Sequence, residues 1–328
     1  MRGYALILLV VALLATVPLI TESNVVLNFM VVALLIALVG QGWNVLGGYG
    51  GQYSFGHAAF FGTGAYTTAI LQVRYGVNAW AGLACGIAAG TFVGGFIGAL
   101  SFRSGLRGSY FALVTLAFAE VLRIIASVAP ITGAGVGTLV KLDLRAAPFE
   151  ALWAFQFQSR APFYWIILGF VAVSLLIVKR LDGSRFGAYL TAVRENEDAA
   201  QAAGIDTVRV KLWAMMLSAA LTAAGGCFYT QYFLFLDAGI AYGTWISVEA
   251  LLAPIIGGIG TVYGPLLGAL VVRSLGEATK LVTGHAPGLD LVIYGCVLVL
   301  VVAFAPRGIA GIFDGVRRAL RKTEHANG

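Results

Sequence analysis

Charged residues are what this chain lacks most. Only 11% of its 328 residues are charged and 59% are hydrophobic, whereas soluble domains carry about 25% charged residues. The mean hydropathy is +0.89, and several apolar runs reach the roughly 20 residues that a helix needs to cross a bilayer. This composition excludes a soluble globular enzyme and a disordered chain, and it predicts an integral membrane protein.

Cysteine, histidine and nucleotide-binding motifs are also scarce. The three cysteines are widely spaced, and each lies in an apolar stretch, so they predict neither a disulfide framework nor a zinc site. The chain contains no G-x-x-x-x-G-K-S/T, H-E-x-x-H or G-x-S-x-G motif. We therefore predict no metal site, no cofactor and no ATPase site of its own. The net charge of +6 is no nucleic-acid footprint either, because the basic residues lie in short segments between apolar spans.

The hydropathy pattern predicts an all-α, polytopic fold of about 8–10 transmembrane helices. The apolar segments are Tyr4–Ile20, Val25–Leu46, Phe55–Val73, Ala79–Phe102, Ser109–Ala129, Pro162–Val178, Val208–Leu236, Trp245–Ile256, Tyr263–Val282 and Leu289–Ala305. Trp245–Ile256 is too short to span alone at 1.5 Å per residue, so we expect a half-helix or a bent crossing there. Ten crossings are preferred, and eight with re-entrant pieces is the alternative.

The distribution of Lys and Arg predicts the orientation. With the N-terminus inside, 14 basic residues lie on the cytoplasmic side and five on the opposite side. Both termini are then cytoplasmic. We expect one transmembrane domain over residues 1–306, with an outer loop at 130–161, and a basic cytoplasmic tail at 307–328 that contacts anionic lipid.

Glycine occurs in two patterns. In the fourth span it recurs every four residues from Gly82 to Gly98, which predicts a smooth stripe for close helix packing. It also clusters at 47–52, the first break, and at 257–261, the second break. Clustered glycines do not sustain a helix, and unwound backbone at membrane depth needs a protein or water environment. Paired interruptions in the two halves of a transporter indicate a translocation path.

Charged residues within the spans allow two interpretations. Glu120 and Arg123 are spaced i, i+3, and Arg273 and Glu277 are spaced i, i+4, so each pair can meet on a helix surface. Such pairs hold helices together, or they line a polar route. From the breaks and these charges we place a translocation path at Gly50, Gly51, Gln52, Ser54, His57, Glu120, Glu249, Gly257 and Gly260.

The segment from Lys179 to Lys211, called the inner loop below, holds 11 charged residues in 33 positions. We predict one helix over 187–203, with Gly204 as a left-handed cap and Asp206 as the N-cap of the next span. Such a helix is suited to docking on a soluble partner, and an ordinary solvated helix is the alternative.

Several blocks resemble the permeases of branched-chain amino-acid ABC importers. They read RENEDAA at 194–200 with GI at 204–205, GGQYSFGHAAF at 50–60, LRGSYFALVTLAFAE at 106–120, GGIGTVYGP at 257–265 and APRG at 305–308. The resemblance extends over nearly the whole chain. It is greater to the second of the two permease types, which has the longer outer loop.

The resemblance implies a system of five proteins in a bacterial inner membrane: two different permeases, two ATPase subunits that use ATP, and a periplasmic substrate-binding protein. It implies ATPase-coupling contacts on the inner loop, at Arg194, Glu197, Asp198, Ala199, Ala200 and Gly204. Leucine, isoleucine and valine are the expected substrates, and urea, short amides or other amino acids are the nearer alternative. An ion-coupled secondary transporter is the alternative from another class. We expect weak sites along the route and no deep, high-affinity pocket.

Overall fold

The computed structural model describes residues 2–142 and 148–283, and six further residues: Val292, Ile293, Gly295, Cys296, Val299 and Ile309. The α-helices are α1 Arg2–Ala15, α2 Val17–Ile20, α3 Asn24–Trp43, α4 His57–Tyr75, α5 Ala79–Arg103, α6 Gly108–Val128, α7 Pro148–Ala154, α8 Ala161–Asp182, α9 Arg185–Glu195, α10 Glu197–Ala202, α11 Thr207–Phe233, α12 Ala238–Ala241, α13 Thr244–Gly257 and α14 Gly264–Thr283. A π-helix, Asn44–Tyr49, continues α3, and short 3-10 helices occupy Pro130–Thr132 and Ala134–Val136. Strands β1, Thr138–Leu139, and β2, Phe235–Leu236, pair antiparallel.

The all-α, polytopic architecture is confirmed. Nine of the ten predicted apolar segments coincide with helices to within a few residues; the tenth, Leu289–Ala305, lies almost wholly outside the described residues. Among the described residues, seven helices are long and apolar enough to cross a membrane. α13 is a 14-residue helix, too short to span alone at 1.5 Å per residue. Together with the preceding α12 it forms the 20-residue candidate span Ala238–Gly257, which agrees with the bent crossing that was predicted as one of two forms.

The bundle is organised around α11, which packs against α5, α4 and α3. The predicted glycine stripe of α5 packs closely against α11. A Cβ atom at Gly98 would lie 3.1 Å from Met215 of α11, and one at Gly86 would lie 2.5 Å from the Cys227 sulfur. The stripe therefore serves helix packing, since only glycine permits this approach.

Part of the predicted secondary structure is wrong. The single inner-loop helix expected over 187–203 is two helices, α9 and α10, which are separated at Asn196. Asn196 has an extended backbone (φ −158°, ψ 105°), and its side chain accepts a hydrogen bond from the backbone N–H of Ala199. An asparagine that caps a new helix in this way competes with continuation of the preceding one.

Candidate functional site: the junction of two helix breaks and the inner loop

The two glycine-rich breaks lie against each other. At the first break the α-helix gives way to the π-helix, which is followed by Gly51 with a φ of +66°. At the second break α13 ends at Gly257, and Gly258 and Gly260 have φ of +133° and +70°. The second interruption lies where it was predicted, whereas in the first one residues 47–49 stay in the π-helix and the backbone is non-helical from Gly51.

Two buried amides join the breaks. The Asn44 side-chain oxygen accepts a hydrogen bond from the Gly260 backbone N–H at 2.8 Å, and its Nδ2 donates to the Thr261 carbonyl at 2.9 Å. Gln41 Nε2 donates to the Val262 carbonyl at 2.6 Å. Both side chains are fully buried. Asn44 and Gln41 thereby supply the partners that unwound backbone needs inside a bundle.

Sequence reasoning missed Asn44 and Gln41. The available signal was an uncharged amide in an otherwise apolar span, since such residues form hydrogen bonds between membrane helices. Both breaks are also packed too closely for side chains. A Cβ atom at Gly48 would lie 2.7 Å from the Gly260 nitrogen, and one at Gly257 would overlap the Gly264 carbonyl.

The inner loop reaches this junction through Arg194. Its Nη1 donates to the Gly48 carbonyl at 2.9 Å, and its Nη2 pairs with Glu195 at 2.8 Å. The side chain also covers Gly51, where a Cβ atom would lie 2.6 Å from Arg194 Cγ. Arg194, which the resemblance placed among the ATPase contacts, is therefore directed towards the first break of its own chain.

Glu197 is likewise directed inward. Its side chain, only 14% exposed, pairs with Lys211 of α11 and lies 3.3 Å from Arg107 Nε in the α5–α6 turn. Arg107 Nη2 also binds Asp198 at 3.0 Å, whereas the Asp198 side chain is 77% exposed. The hydrogen bond from Arg107 to Asp198 and the nearby Glu197 charge raise the pKa of the Arg107 guanidinium. These ion pairs fix α10 to the rest of the bundle.

Ala199 and Ala200, which were both placed among the ATPase contacts, do not share one exposed surface in this chain. Ala199 is exposed, but Ala200 is only 4% exposed and belongs to the hydrophobic core of the chain. They diverge because consecutive helical residues point about 100° apart. Gly204 adopts the predicted left-handed conformation (φ +86°), and the Asp206 side chain caps α11 by accepting from the Arg209 N–H. The role of these residues towards an ATPase stays a prediction.

The predicted path residues from Gly50 to His57 differ in how far they are buried. Ser54 and His57 are buried; His57 Nε2 lies 2.9 Å from Ser218 Oγ of α11, and the Ser54 carbonyl accepts from Trp43. Gly50 is also buried, whereas Gly51 and Gln52 are partly exposed. In this structure Ser54 and His57 therefore attach the segment to the bundle, and they do not face an open route.

The two predicted intramembrane ion pairs are present. Glu120 accepts two hydrogen bonds from Arg123, at 2.6 and 2.8 Å, and this pair lies on α6, far along the chain from either break. Arg273 Nη2 lies 3.4 Å from Glu277, and Arg273 Nη1 lies 3.9 Å from Glu249 of α13. The sequence did not predict the contact with Glu249, because it depends on the packing of α13 against α14.

The chain is an α-helical, multi-pass membrane protein. Its two helix breaks are joined, and a charged loop is bound to one of them. These features are typical of a transport permease. Residues 25–302 match the family described as the permease component of branched-chain amino acid transport systems. The chain belongs to that family.

Individual relatives agree with this assignment. The chain is 27% identical over 294 residues to the high-affinity branched-chain amino acid transport system permease protein LivM of Salmonella typhimurium, covering 84% of this chain and 68% of that protein. It is 26% identical over 305 residues to LivM of Escherichia coli, covering 88% and 70%. To LivH of Escherichia coli it is 29% identical over 147 residues, covering 45% and 46%. No solved structure matches the chain.

Proposed function

We propose that this chain is one of two permease subunits of an ABC importer for branched-chain amino acids. It lies in a bacterial inner membrane with both termini in the cytoplasm, beside a second, LivH-like permease. Two separate ATPase subunits hydrolyse ATP, and a periplasmic binding protein delivers leucine, isoleucine or valine. The names of the LivM and LivH relatives support the substrate class and the pairing of two permease types.

The observation that carries the proposal is the contact between Arg194 and the first break. An importer that is driven by separate ATPases needs a rigid connection from the subunit surface to the transport route. Here the connection is short, because α10 presents Asp198 and Ala199 to solvent and α9, which immediately precedes it, carries the arginine that binds the Gly48 carbonyl. A movement of the loop is thereby transmitted to the π-helix at the start of the first break.

The route itself is apolar with a few dipoles. Backbone groups at the breaks interact with a zwitterionic solute without fixed charge, so its passage is not stopped by tight binding. We assign the exposed parts of the route to Gly51, Gln52 and the second break, next to the partner permease.

Reconstitution into liposomes tests the proposal. The chain is compared alone, with the second permease, and with the ATPases and binding protein, using labelled leucine, valine and urea. We expect uptake of leucine and valine only by the complete, ATP-supplied assembly. Uptake by the isolated chain would indicate a secondary transporter. Uptake of urea but not of leucine or valine would indicate an ABC importer with a different substrate.

A further inference from the structure

A cavity of about 260 Å³ lies inside this one subunit, away from the breaks. It is a partly open cleft lined by residues of α3, α4, α11, α13 and α14, and most of its wall is apolar, including Val32, Ile36 and Phe61. Its volume is just below the roughly 300 Å³ at which pockets for drug-sized ligands begin. The space therefore suits a molecule the size of an amino acid.

Two opposite charges lie in the wall of this cavity. The side chains of Glu249 and Arg273 are 11% and 17% exposed, and their nearest charged atoms are 3.9 Å apart. Arg273 Nε is buried and donates no hydrogen bond within the described residues. Arg273 is also paired with Glu277 of its own helix at 3.4 Å, and its buried Nε is the donor that these pairs leave for a ligand. Charges at membrane depth are costly and usually mark a substrate or ion pathway.

We propose that the cavity is a weak binding site for a zwitterionic, apolar α-amino acid. The guanidinium of Arg273 binds the carboxylate, for which its planar donors are suited, and the carboxylate of Glu249 binds the ammonium group. The apolar side chain of the ligand lies against Val32 and Ile36. The sequence analysis expected no deep pocket in this chain, and this site is the exception. The choice of an α-amino acid as its ligand rests on the proposed function.

The site has a direct connection to the junction. Glu249 lies on α13, which ends at Gly257 of the second break, and Arg273 lies on α14, which begins just after that break. A ligand that holds these two residues therefore acts on both helices that flank the second break.

Ligand-observed NMR on the complete permease–ATPase complex in nanodiscs, without binding protein or ATP, tests the site. The probes are L-leucine, 4-methylpentanoate, which lacks the ammonium group, and 3-methylbutylamine, which lacks the carboxylate. We expect saturable leucine binding and at least about tenfold weaker binding of either analogue, because a site built for a polar group rejects a ligand without it. Equal binding of all three would overturn the proposal, since it would identify a merely apolar cavity.

Three variants locate the binding. Arg273→Gln removes the guanidinium that binds the carboxylate of leucine. Val32→Phe fills the cavity and leaves both charged side chains in place. Arg123→Gln is the matched control, because it breaks the other intramembrane pair, on α6, outside the cavity. We expect at least about tenfold weaker leucine binding in the first two variants and unchanged binding in the control. If Arg273→Gln does not fold, Val32→Phe decides alone, and leucine binding by folded Val32→Phe equal to that of the unmodified complex would refute the site.

Uptake by the same complex with binding protein separates this inference from the proposed function. Leucine uptake without detectable leucine binding by the permease would refute the cavity site and leave the importer intact. Uptake of urea but not leucine would instead refute the proposed substrate class, whether or not leucine binds.

Discussion

At the scale of single residues, Asn44 explains how two unwound segments more than 200 positions apart are held together. It is a fully buried polar side chain at the end of an apolar helix. It both accepts from and donates to the backbone of the second break. A hydrophobic residue of similar size at this position would remove the partner of the Gly260 N–H and of the Thr261 carbonyl, both of which are partly buried.

Asn44→Leu should therefore destabilise the chain. Each buried backbone group that loses its partner costs about 1–3 kcal/mol, so we expect a clearly lower unfolding temperature in detergent and reduced uptake. Thr91→Val is the control, because among the described residues that hydroxyl bonds to Ile87 of its own helix alone. Unfolding at the same temperature in Asn44→Leu and Thr91→Val would refute the role of Asn44.

Glu120→Gln distinguishes an ion pair from a path residue, because it keeps the shape and removes the charge. The two hydrogen bonds to Arg123 favour the ion pair. Partly exposed pairs contribute about 0–1 kcal/mol, so we expect a modest loss of stability or yield and an unchanged transport rate per folded complex. A lower rate at unchanged expression would place Glu120 on the route instead.

At the scale of elements, the break at Asn196 separates two inner-loop helices with different contacts. α9 ends with Arg194 on the first break, and α10 presents Ala199 to solvent while Ala200 is buried. The two alanines should therefore respond differently to the same substitution.

Ala199→Arg should leave the permease folded and inserted but weaken ATPase docking, since a bulky charge replaces a small exposed side chain. Ala200→Arg should instead reduce folding and yield, because overpacking alone costs about 1–3 kcal/mol and the charge has no partner in the core. Co-purification of the ATPases and the amount of inserted permease measure the two effects. Intact docking and normal ATP-driven uptake in Ala199→Arg would exclude this surface from the ATPase contact.

Substitution of the glycines in the two breaks tests whether the breaks belong to the transport route. Gly51→Val and Gly260→Val place a branched side chain at φ of +66° and +70°, which β-branched residues strongly disfavour, next to Arg194. We expect loss of uptake while the ATPases still co-purify. Gly169→Val in α8, where a Cβ atom meets nothing within 4 Å, should transport normally. Transport by Gly51→Val and Gly260→Val equal to that of Gly169→Val would contradict a role of the breaks in the route.

The sequence predicted those elements that are determined by residues close together in the chain. Spans such as α5 and α11 follow from hydropathy within one segment, so their positions were predictable. The left-handed Gly204 and the cap at Asp206 follow from neighbouring residues and were also predictable. The Asn44 bridge and the Glu249–Arg273 contact depend on which helices become neighbours, and no local pattern carries that information.

At the scale of the whole molecule, the described features form one continuous connection. The cavity, the second break, the first break and the inner loop follow one another through α13, α14, Asn44 and Arg194. α11 and the glycine stripe of α5 form a closely packed body beside them. A tightly packed body next to unwound segments is an arrangement in which a small loop movement shifts the segments without unfolding the bundle.

The Arg194 contact is the central claim of this account, and the ratio of leucine taken up to ATP hydrolysed by the complete complex tests it most directly. A hydrogen bond to a charged group contributes about 1.5–3 kcal/mol. Arg194→Ala should therefore lower this ratio by roughly tenfold or more, while ATP hydrolysis and ATPase docking continue. Arg209→Ala, which removes an exposed arginine that pairs with Asp206 of the same loop, should keep the unmodified ratio. An unchanged ratio in Arg194→Ala would contradict the account.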